Sequence, residues 1–275
     1  MKLPPHFQFS QSNLQDFVDC PRRFYYRYVL DLQYPAPQSA PLRDFELHMQ
    51  QGDQFHRLAH QAVLGIEPDA IAATIDDDRV YGWWENFRAR GLKDLPEPRY
   101  PEITLSVPLA GYRLVAKYDL IAVGERNVIV DWKTALRHPK RDTLAHRLQT
   151  IVYPYVLAQA GAHLYSKLRI PPDTISMQYW FTEFPDQPIV FDYSAAKMAE
   201  DGAYLERLAA DILSRATDAD FALTPDVNKC KFCTYRSLDQ RGAKAGDFRE
   251  QVNDEPEAAP TILGLSLDQI AEIEF

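Results

Sequence analysis

The sequence has few cysteines, no long apolar run and fewer basic than acidic residues. Three cysteines among 275 residues are too few for the disulfide framework of a small secreted protein. Charges or prolines interrupt each apolar run before it reaches the about 20 residues that a membrane-spanning helix needs. The first ten residues, MKLPPHFQFS, lack the apolar core of a secretory signal. These absences predict a cytoplasmic protein that makes no membrane contact.

The negative charge is concentrated at the C-terminal end. A formal net charge of −9 argues against a protein that coats nucleic acid through bulk positive charge. Residues 246–275 hold eight acids and one base, so the rest of the chain is nearly neutral and can still carry a local basic groove. We therefore predict a folded domain over 1–245. Over 246–275 we predict an acidic linker with a short amphipathic end, which is either solvated or bound to a protein partner.

Apolar spacing and turn residues predict an α/β protein. Ser10 is a candidate N-cap for a first helix that ends before Pro21. Helices are also predicted at 44–65, 141–159 and 194–215, and Pro154 predicts a kink or break inside the second of these. Strand patterns begin at 102 and recur in EITLSVPL, RLVAKYDLIAV, NVIVDW, TISMQYWF and PIVFDY.

Two carboxylates and two lysines interrupt an otherwise apolar predicted hairpin. With the turn centred on Glu125, Asp119 lies directly opposite Asp131. Lys117 then lies opposite Lys133. Like charges directly across a ladder destabilise a sheet, and a divalent cation between the carboxylates would remove that penalty. The alternative is a solvated polar face on a half-buried hairpin.

Side-chain alternation also predicts which residues of the first hairpin strand share a face. The predicted shared face holds Arg113, Val115, Lys117, Asp119 and Ile121.

Six short motifs follow one another along the chain in a recognisable order. They are CPRRFYYRY (20–28), GDQFH (52–56), AKYD (116–119), DWKT (131–134), QTIVY (149–153) and CKFC (230–233). Each is weak alone, but the ordered set resembles the PD-(D/E)XK nuclease superfamily. The resemblance is to its RecB-like branch with an iron–sulfur cluster, which includes the CRISPR adaptation-associated exonuclease.

The resemblance implies a role for each motif residue. Asp119, Asp131 and the Trp132 carbonyl would bind Mg²⁺ or Mn²⁺, and His56 would complete the site from a helix. Lys133 would orient the attacking water and stabilise charge on the scissile phosphate.

The same resemblance places two further side chains at the active site. Gln149 and Tyr153 would line it and position the substrate. The alternative for these two is a simple pair on a helix surface.

The resemblance also implies an iron–sulfur site with an incomplete ligand set. Cys20, Cys230 and Cys233 match three of four cysteine positions, and Asp239 stands at the fourth. A [4Fe–4S] cluster with Asp239 or water on one iron, a [3Fe–4S] cluster, a zinc site and no metal all stay open. Without a metal, Cys20 would be a small buried residue and CKFC a chance turn.

The resemblance thus implies a restriction-endonuclease-like α/β fold. A central mixed sheet would be flanked by helices, with a helical N-terminal part tied to the C-terminal cysteine region. The implied function is metal-dependent cleavage of DNA, by an exonuclease acting on single-stranded ends in DNA repair, recombination or CRISPR adaptation. The alternative is a catalytically silent nucleic-acid-binding or scaffold subunit of a larger complex.

Overall fold

The computed structural model describes residues 3–4, 6–32, 40–165 and 169–242. The predicted acidic linker and amphipathic end at 246–275 lie outside these ranges, and so does the predicted boundary at 245.

One mixed sheet organises the described residues. Its strands are β1 (Gln8–Ser10), β2 (Arg99–Leu109), β3 (Tyr112–Ala122), β4 (Asn127–Lys133), β5 (Ile175–Phe181) and β6 (Phe184–Asp192). The order is β1-β3-β4-β5-β6, and β2 pairs with β3. β1 runs parallel to β3 and β4 runs parallel to β5, whereas the other pairs are antiparallel. The predicted α/β fold with a central mixed sheet is confirmed.

Helices flank this sheet. Those in the described ranges are α1 (Gln11–Asp19), α2 (Pro21–Phe24, continued by a wider turn over Tyr25–Val29), α3 (Ala40–Val63), α4 (Pro68–Ala72), α5 (Asp78–Asn86), α6 (Arg141–Ala145), α7 (Leu148–Ala160) and α8 (Ala195–Ser214). No helix in the described part of the chain is both long and apolar enough to cross a membrane.

Two apolar clusters form the core. The larger cluster joins β1, β2 and β3 to α1, α7 and α8 through residues such as Phe9, Tyr118 and Leu205. The smaller cluster joins α3 and α5 to the sheet and contains Phe55, Trp83, Trp84, Trp132 and Trp180. Burial of such large side chains is the main favourable contribution to the stability of a domain of this size.

The N-terminal helix begins and ends as its sequence predicts. Ser10 caps α1 and accepts a hydrogen bond from the Asn13 backbone N–H, while the Asn13 side chain bonds back to Ser10. α1 ends at Asp19, two residues before Pro21. The reciprocal cap fixes the direction in which the chain leaves β1.

The β3–β4 hairpin has the predicted register. Its pairs are Leu120–Val130, Ile121–Ile129 and Ala122–Val128. The next pair in this register is Asp119 with Asp131, just beyond the last ladder pair. The two carboxylates therefore follow the point at which β3 and β4 separate.

The predicted shared face of β3 is wrong at Ile121. Tyr118 and Ile121 both join the larger cluster, whereas Leu120 joins the smaller one. Strict alternation cannot place residues three apart on one side. The change occurs at Asp119. The β2–β3 ladder pairs Pro101 with Leu120 and Ile103 with Tyr118 and skips the position between them, where Glu102 has a positive φ of 52°. The alternation of β3 side chains between the two clusters therefore shifts by one residue at Asp119.

The single helix predicted at 141–159 is also wrong. The chain forms α6 and α7, with a break at His146 and Arg147, and Pro154 lies inside the continuous α7. The start of α7 is held by the Gln15 side chain, whose oxygen accepts from the Leu148 N–H. Burial of α7 in the larger cluster compensates for the one helical hydrogen bond that Pro154 removes.

Candidate active site

The candidate site lies where one edge of β3 lacks a partner strand. β2 pairs along almost all of β3, so β1 and β4 share the opposite edge. β1 pairs with β3 only at 113–115 and β4 only at 120–122, which leaves 116–119 without a strand partner on that edge in the described structure. Asp119 occupies this interval.

The Asp119 carboxylate takes the place of a strand partner for Trp132. Its Oδ2 accepts a hydrogen bond of 2.9 Å from the Trp132 N–H. Because the N–H and C=O of one strand residue face the same neighbour, the Trp132 carbonyl faces this interval as well. The Trp132 side chain is buried in the smaller cluster and fixes that part of β4.

His56 reaches Asp119 from α3. Its Nδ1 lies 3.5 Å from Asp119 Oδ1. Partial burial lowers the pKa of His56, but the Asp119 carboxylate more than offsets this and holds that pKa above its ordinary value. Burial likewise raises the pKa of Asp119, and the His56 charge and the Trp132 N–H together bring it below its ordinary value. The pair therefore favours a charged imidazole beside a charged carboxylate.

Gly52 lets α3 approach closely enough for this contact. A Cβ at Gly52 would lie 3.2 Å from Thr134 Oγ1 just after β4, which is tighter than an ordinary van der Waals contact. The four-residue spacing puts Gly52 and His56 on the same side of the helix. The predicted placement of His56 on a helix facing Asp119 is therefore seen in the structure.

Asp131 is held from α7 and from its own strand. It is only 4% exposed. The Gln149 amide donates a 2.7 Å hydrogen bond to Oδ1, and Lys133 Nζ lies 2.9 Å from Oδ2. A buried carboxylate needs such partners to remain charged. The structure thus brings Gln149 and Lys133 to the same carboxylate.

Tyr153 is buried and contacts β3. It is buried in the larger cluster, its ring centroid is 4.8 Å from that of Tyr118, and its carbonyl accepts from the Tyr118 hydroxyl. This places Tyr153 against Tyr118, on the side of β3 that faces the larger cluster. Its role towards a substrate stays a prediction.

Tyr179 and Thr150 were missed by the sequence analysis. Tyr179 pairs with Asp131 in the β4–β5 register, and its ring centroid lies 5.9 Å from Lys133 Nζ. Its hydroxyl forms a 2.7 Å hydrogen bond with Thr150 Oγ1, on the residue after Gln149. No local pattern in TISMQYWF distinguishes Tyr179 from an ordinary core residue, because the contact depends on parallel pairing of distant strands.

The donor set fits a hard divalent cation in chemical type. In the described ranges, His, Cys, Asp and Glu side chains form no group of three or more that could hold a metal ion as they stand. Instead, a basic side chain faces each carboxylate, His56 at Asp119 and Lys133 at Asp131. Carboxylate and carbonyl oxygens are the donors that Mg²⁺ and Mn²⁺ prefer. The residues that would hold the ion are Asp119, Asp131, Trp132 through its carbonyl, and His56.

The cysteine region lies against the N-terminal helices, as predicted. Cys20, Cys230 and Cys233 are free and buried. Burial and the nearby Cys20 raise the pKa of Cys230, which disfavours its thiolate. Asp239 accepts a 2.8 Å hydrogen bond at Oδ1 from the Tyr26 hydroxyl. As they stand, Asp239 and the three cysteines do not form a group of three or more side chains that could hold a metal ion in the described ranges.

Contacts without any metal hold this region in place. We call residues 217–241, together with 19–32 against which they pack, the clasp. Lys229 Nζ lies 2.6 Å from Asp19 Oδ1, the Tyr235 hydroxyl donates to the Leu32 carbonyl, and Arg22 pairs with Asp218. The clasp therefore ties the two ends of the described chain together.

Comparisons with solved structures give distant likenesses. A protein designated SSO0001 is 14% identical with a TM-score of 0.41, and 84% of each chain is covered. A candidate exonuclease from Eubacterium rectale is 12% identical with a TM-score of 0.47, covering 76% of this chain and 80% of that one. None of the curated proteins matches the chain.

The sequence itself matches a family over most of its length. The pattern of the PD-(D/E)XK nuclease superfamily matches residues 8–238, from β1 to the clasp. The match includes the mixed sheet and every residue that contacts Asp119 or Asp131 as described above. The chain belongs to the PD-(D/E)XK nuclease superfamily.

Proposed function

We propose that the protein is a Mg²⁺- or Mn²⁺-dependent deoxyribonuclease that hydrolyses phosphodiester bonds at single-stranded ends. One observation carries the proposal: α3, β4 and α7 bring His56, Lys133 and Gln149 to the carboxylates of Asp119 and Asp131, which end the paired part of β3 and β4. The choice of DNA, of free ends, and of repair, recombination or CRISPR adaptation as the setting rests on the ordered motifs shared with the RecB-like branch.

The protein's own groups have distinct tasks in this reaction. A bound divalent ion would supply an activated water and neutralise charge on the phosphate. Gln149 keeps the Asp131 carboxylate oriented, while the Trp132 N–H and His56 do the same for Asp119. Lys133, whose side chain is 12% exposed, brings a positive charge to Asp131, where it would stabilise the developing charge on the phosphate.

The test is cleavage of end-labelled single- and double-stranded DNA with Mg²⁺, Mn²⁺ or chelator. We expect metal-dependent release of short products from single strands, reduced about 10²–10³-fold by Lys133→Ala. Lys93→Ala is the matched control, because Lys93 is exposed by the β3–β4 turn. Binding of DNA without cleavage under any metal would instead identify the scaffold alternative. Internal cuts in circular single strands would contradict the preference for ends.

For the cysteine region we propose a structural role that does not require a metal. The ion pairs and hydrogen bonds of the clasp support it, together with the engagement of Asp239 by Tyr26. The iron–sulfur cluster implied by the motifs stays a prediction. Absorption spectra and iron, sulfide and zinc analysis of anaerobically purified protein decide between the two. Stoichiometric iron or zinc, with loss of folding on its removal, would contradict our proposal.

A further inference from the structure

The half of the sheet made by β1, β2 and β3 has one apolar and one polar face. Phe9, Leu114 and Val107 form a cross-strand row in the larger cluster. The residues between them point the other way, as alternation requires. We call this the outer face; its members include Gln8, Thr104, Ser106, Arg113, Val115 and Lys117, all exposed or partly exposed.

The outer face leads directly to the candidate site. Lys117 and Asp119 are two residues apart on β3, which is about 7 Å along a strand, and Arg113 is about 20 Å from Asp119. Tyr118 between them points into the larger cluster, so Lys117 and Asp119 lie on the same side. A ligand extended along β3 would therefore meet Arg113, then Lys117, then the Asp119 carboxylate.

The charged groups on this face are positioned for an anion. Lys117 is 64% exposed, and its Nζ lies 2.5 Å from Glu102 Oε2. Arg113 is exposed and donates from its guanidinium to the Ser106 hydroxyl. The carboxylates of Glu102 and Asp119 lie at the end of this face that meets the site, and they would repel a phosphate group. Lys117 and Arg113 lie farther along β3 and would hold a phosphate chain in place against this repulsion.

Two other basic regions near the sheet have contacts of their own. In the basic stretch 137–147, His138 bonds to the Gln187 carbonyl and Arg141 to the Val190 carbonyl, both on β6. A cavity of about 760 Å³ by the β3–β4 turn has Arg90, Lys93 and Arg126 in its wall, but an equal number of acids lines it as well. In the described part of the chain, the outer face is thus a basic surface that leads to Asp119.

We propose that the outer face is the track for the phosphate backbone of a single DNA strand, with Lys117 contacting the phosphate next to the scissile one and Arg113 a phosphate farther along. This inference rests on the proposed function. In the free protein the Glu102 carboxylate pairs with the Lys117 ammonium, and a phosphate group of the DNA replaces Glu102 when the strand binds. Glu102 therefore weakens binding, although it forms an ion pair in the free protein.

The first test is equilibrium binding of a fluorescent single strand of about twenty nucleotides, in chelator so that no cleavage occurs. Lys117→Gln and Arg113→Gln should each weaken binding about three- to tenfold at about 0.1 M salt and reduce the slope of log K against log salt by about 0.7. Lys93→Gln should change neither quantity. Unchanged binding and slope in both outer-face variants would overturn the proposal.

The second test separates the track from a merely structural ion pair. Glu102→Gln should tighten binding several-fold in the natural background and much less in the Lys117→Gln background, since its effect acts through that ammonium. If the ion pair were only structural, Glu102→Gln and Lys117→Gln would lower stability equally, and Glu102→Gln would not tighten DNA binding. That result would contradict the proposal. Thermal unfolding of each variant shows that the fold is retained.

The outcomes also separate this inference from the proposed function. Metal-dependent cleavage with binding unaffected by both Lys117→Gln and Arg113→Gln would keep the nuclease and discard the track. Binding with the predicted slopes but no cleavage under any metal would keep the track and discard the nuclease. No binding of the single strand would discard the track.

Discussion

The Gln149 amide and the Asp131 carboxylate join α7 to the end of β4 through a 2.7 Å hydrogen bond between buried groups. Lys133 engages the other carboxylate oxygen. A fixed carboxylate beside a fixed ammonium is the arrangement that a metal-assisted hydrolysis requires of its protein part, because groups that are already oriented need no reorganisation during the reaction.

Removal of the Gln149 amide should therefore affect activity more than stability. We expect Gln149→Ala to lower kcat about tenfold or more, because Asp131 loses a fixed orientation, with a loss of unfolding free energy of about 1–3 kcal/mol. Steady-state kinetics at saturating Mn²⁺ and thermal unfolding measure the two effects. Gln159→Ala on the same helix, where Gln159 contacts Tyr155, is the control. Equal activity of the two variants would be inconsistent with a positioning role for Gln149.

The close approach at Gly52 gives a second prediction. Gly52→Ala should lower activity by pushing α3 away from Thr134 and His56 away from Asp119. Thr134→Ala in the same chain should restore much of the loss, because it removes the atom that the new Cβ meets. Gly82→Ala is the control: a Cβ there has nothing within 4 Å, so it should stabilise α5 by about 0.5–1 kcal/mol. Absence of rescue by Thr134→Ala would show that the contact is not what limits the position of His56.

Tyr179 tests whether β5 supports the site. Tyr179→Phe removes the hydroxyl bond to Thr150 and should cost about 0.5–1.5 kcal/mol of stability while keeping the ring near Lys133. Tyr179→Leu also removes the ring, and we expect it to lower kcat further than Tyr179→Phe does. Urea unfolding and single-turnover kinetics give the two quantities. If both variants had the activity of the natural protein, the ring would have no part in positioning Lys133.

The clasp should depend on pH through Asp19. Burial raises the pKa of Asp19, but Lys229 and Arg23 more than offset this and hold it below its ordinary value of 3.8. A depressed pKa means that this stabilisation is present above pH 3.8 and is lost as the pH falls through the lower, folded-state value. Lys229→Gln should therefore lower stability at pH 7 by about 1 kcal/mol and flatten the loss in acid. Urea unfolding between pH 7 and pH 2 measures the unfolding free energy of the variant and of the natural protein. Identical pH profiles for the two would contradict a contribution from the Asp19–Lys229 pair.

Much of the site could be predicted from the sequence because its information is local. The spacing of turn and apolar residues sets the register that puts Asp119 opposite Asp131, and Gly52 and His56 are one helical turn apart. The contribution of Tyr179 and the break between α6 and α7 depend instead on packing between distant segments. The one-residue shift in the alternation of β3 side chains at Asp119 likewise cannot be predicted from a strict two-residue period. It accompanies the unusual backbone of Glu102 on the neighbouring strand.

The interval at 116–119, where β3 has no strand partner on one edge in the described structure, bears on the solubility of the protein. An open strand edge can pair with the edge of another molecule and begin aggregation. The gap in β3 is closed from within instead: Ala116 and Tyr118 are buried, and the Asp119 carboxylate accepts from the Trp132 N–H of the neighbouring strand. With β1 and β4 on either side of it, the gap gives a second molecule no room to add a strand, so the unpaired backbone that frames the site does not become a template for association.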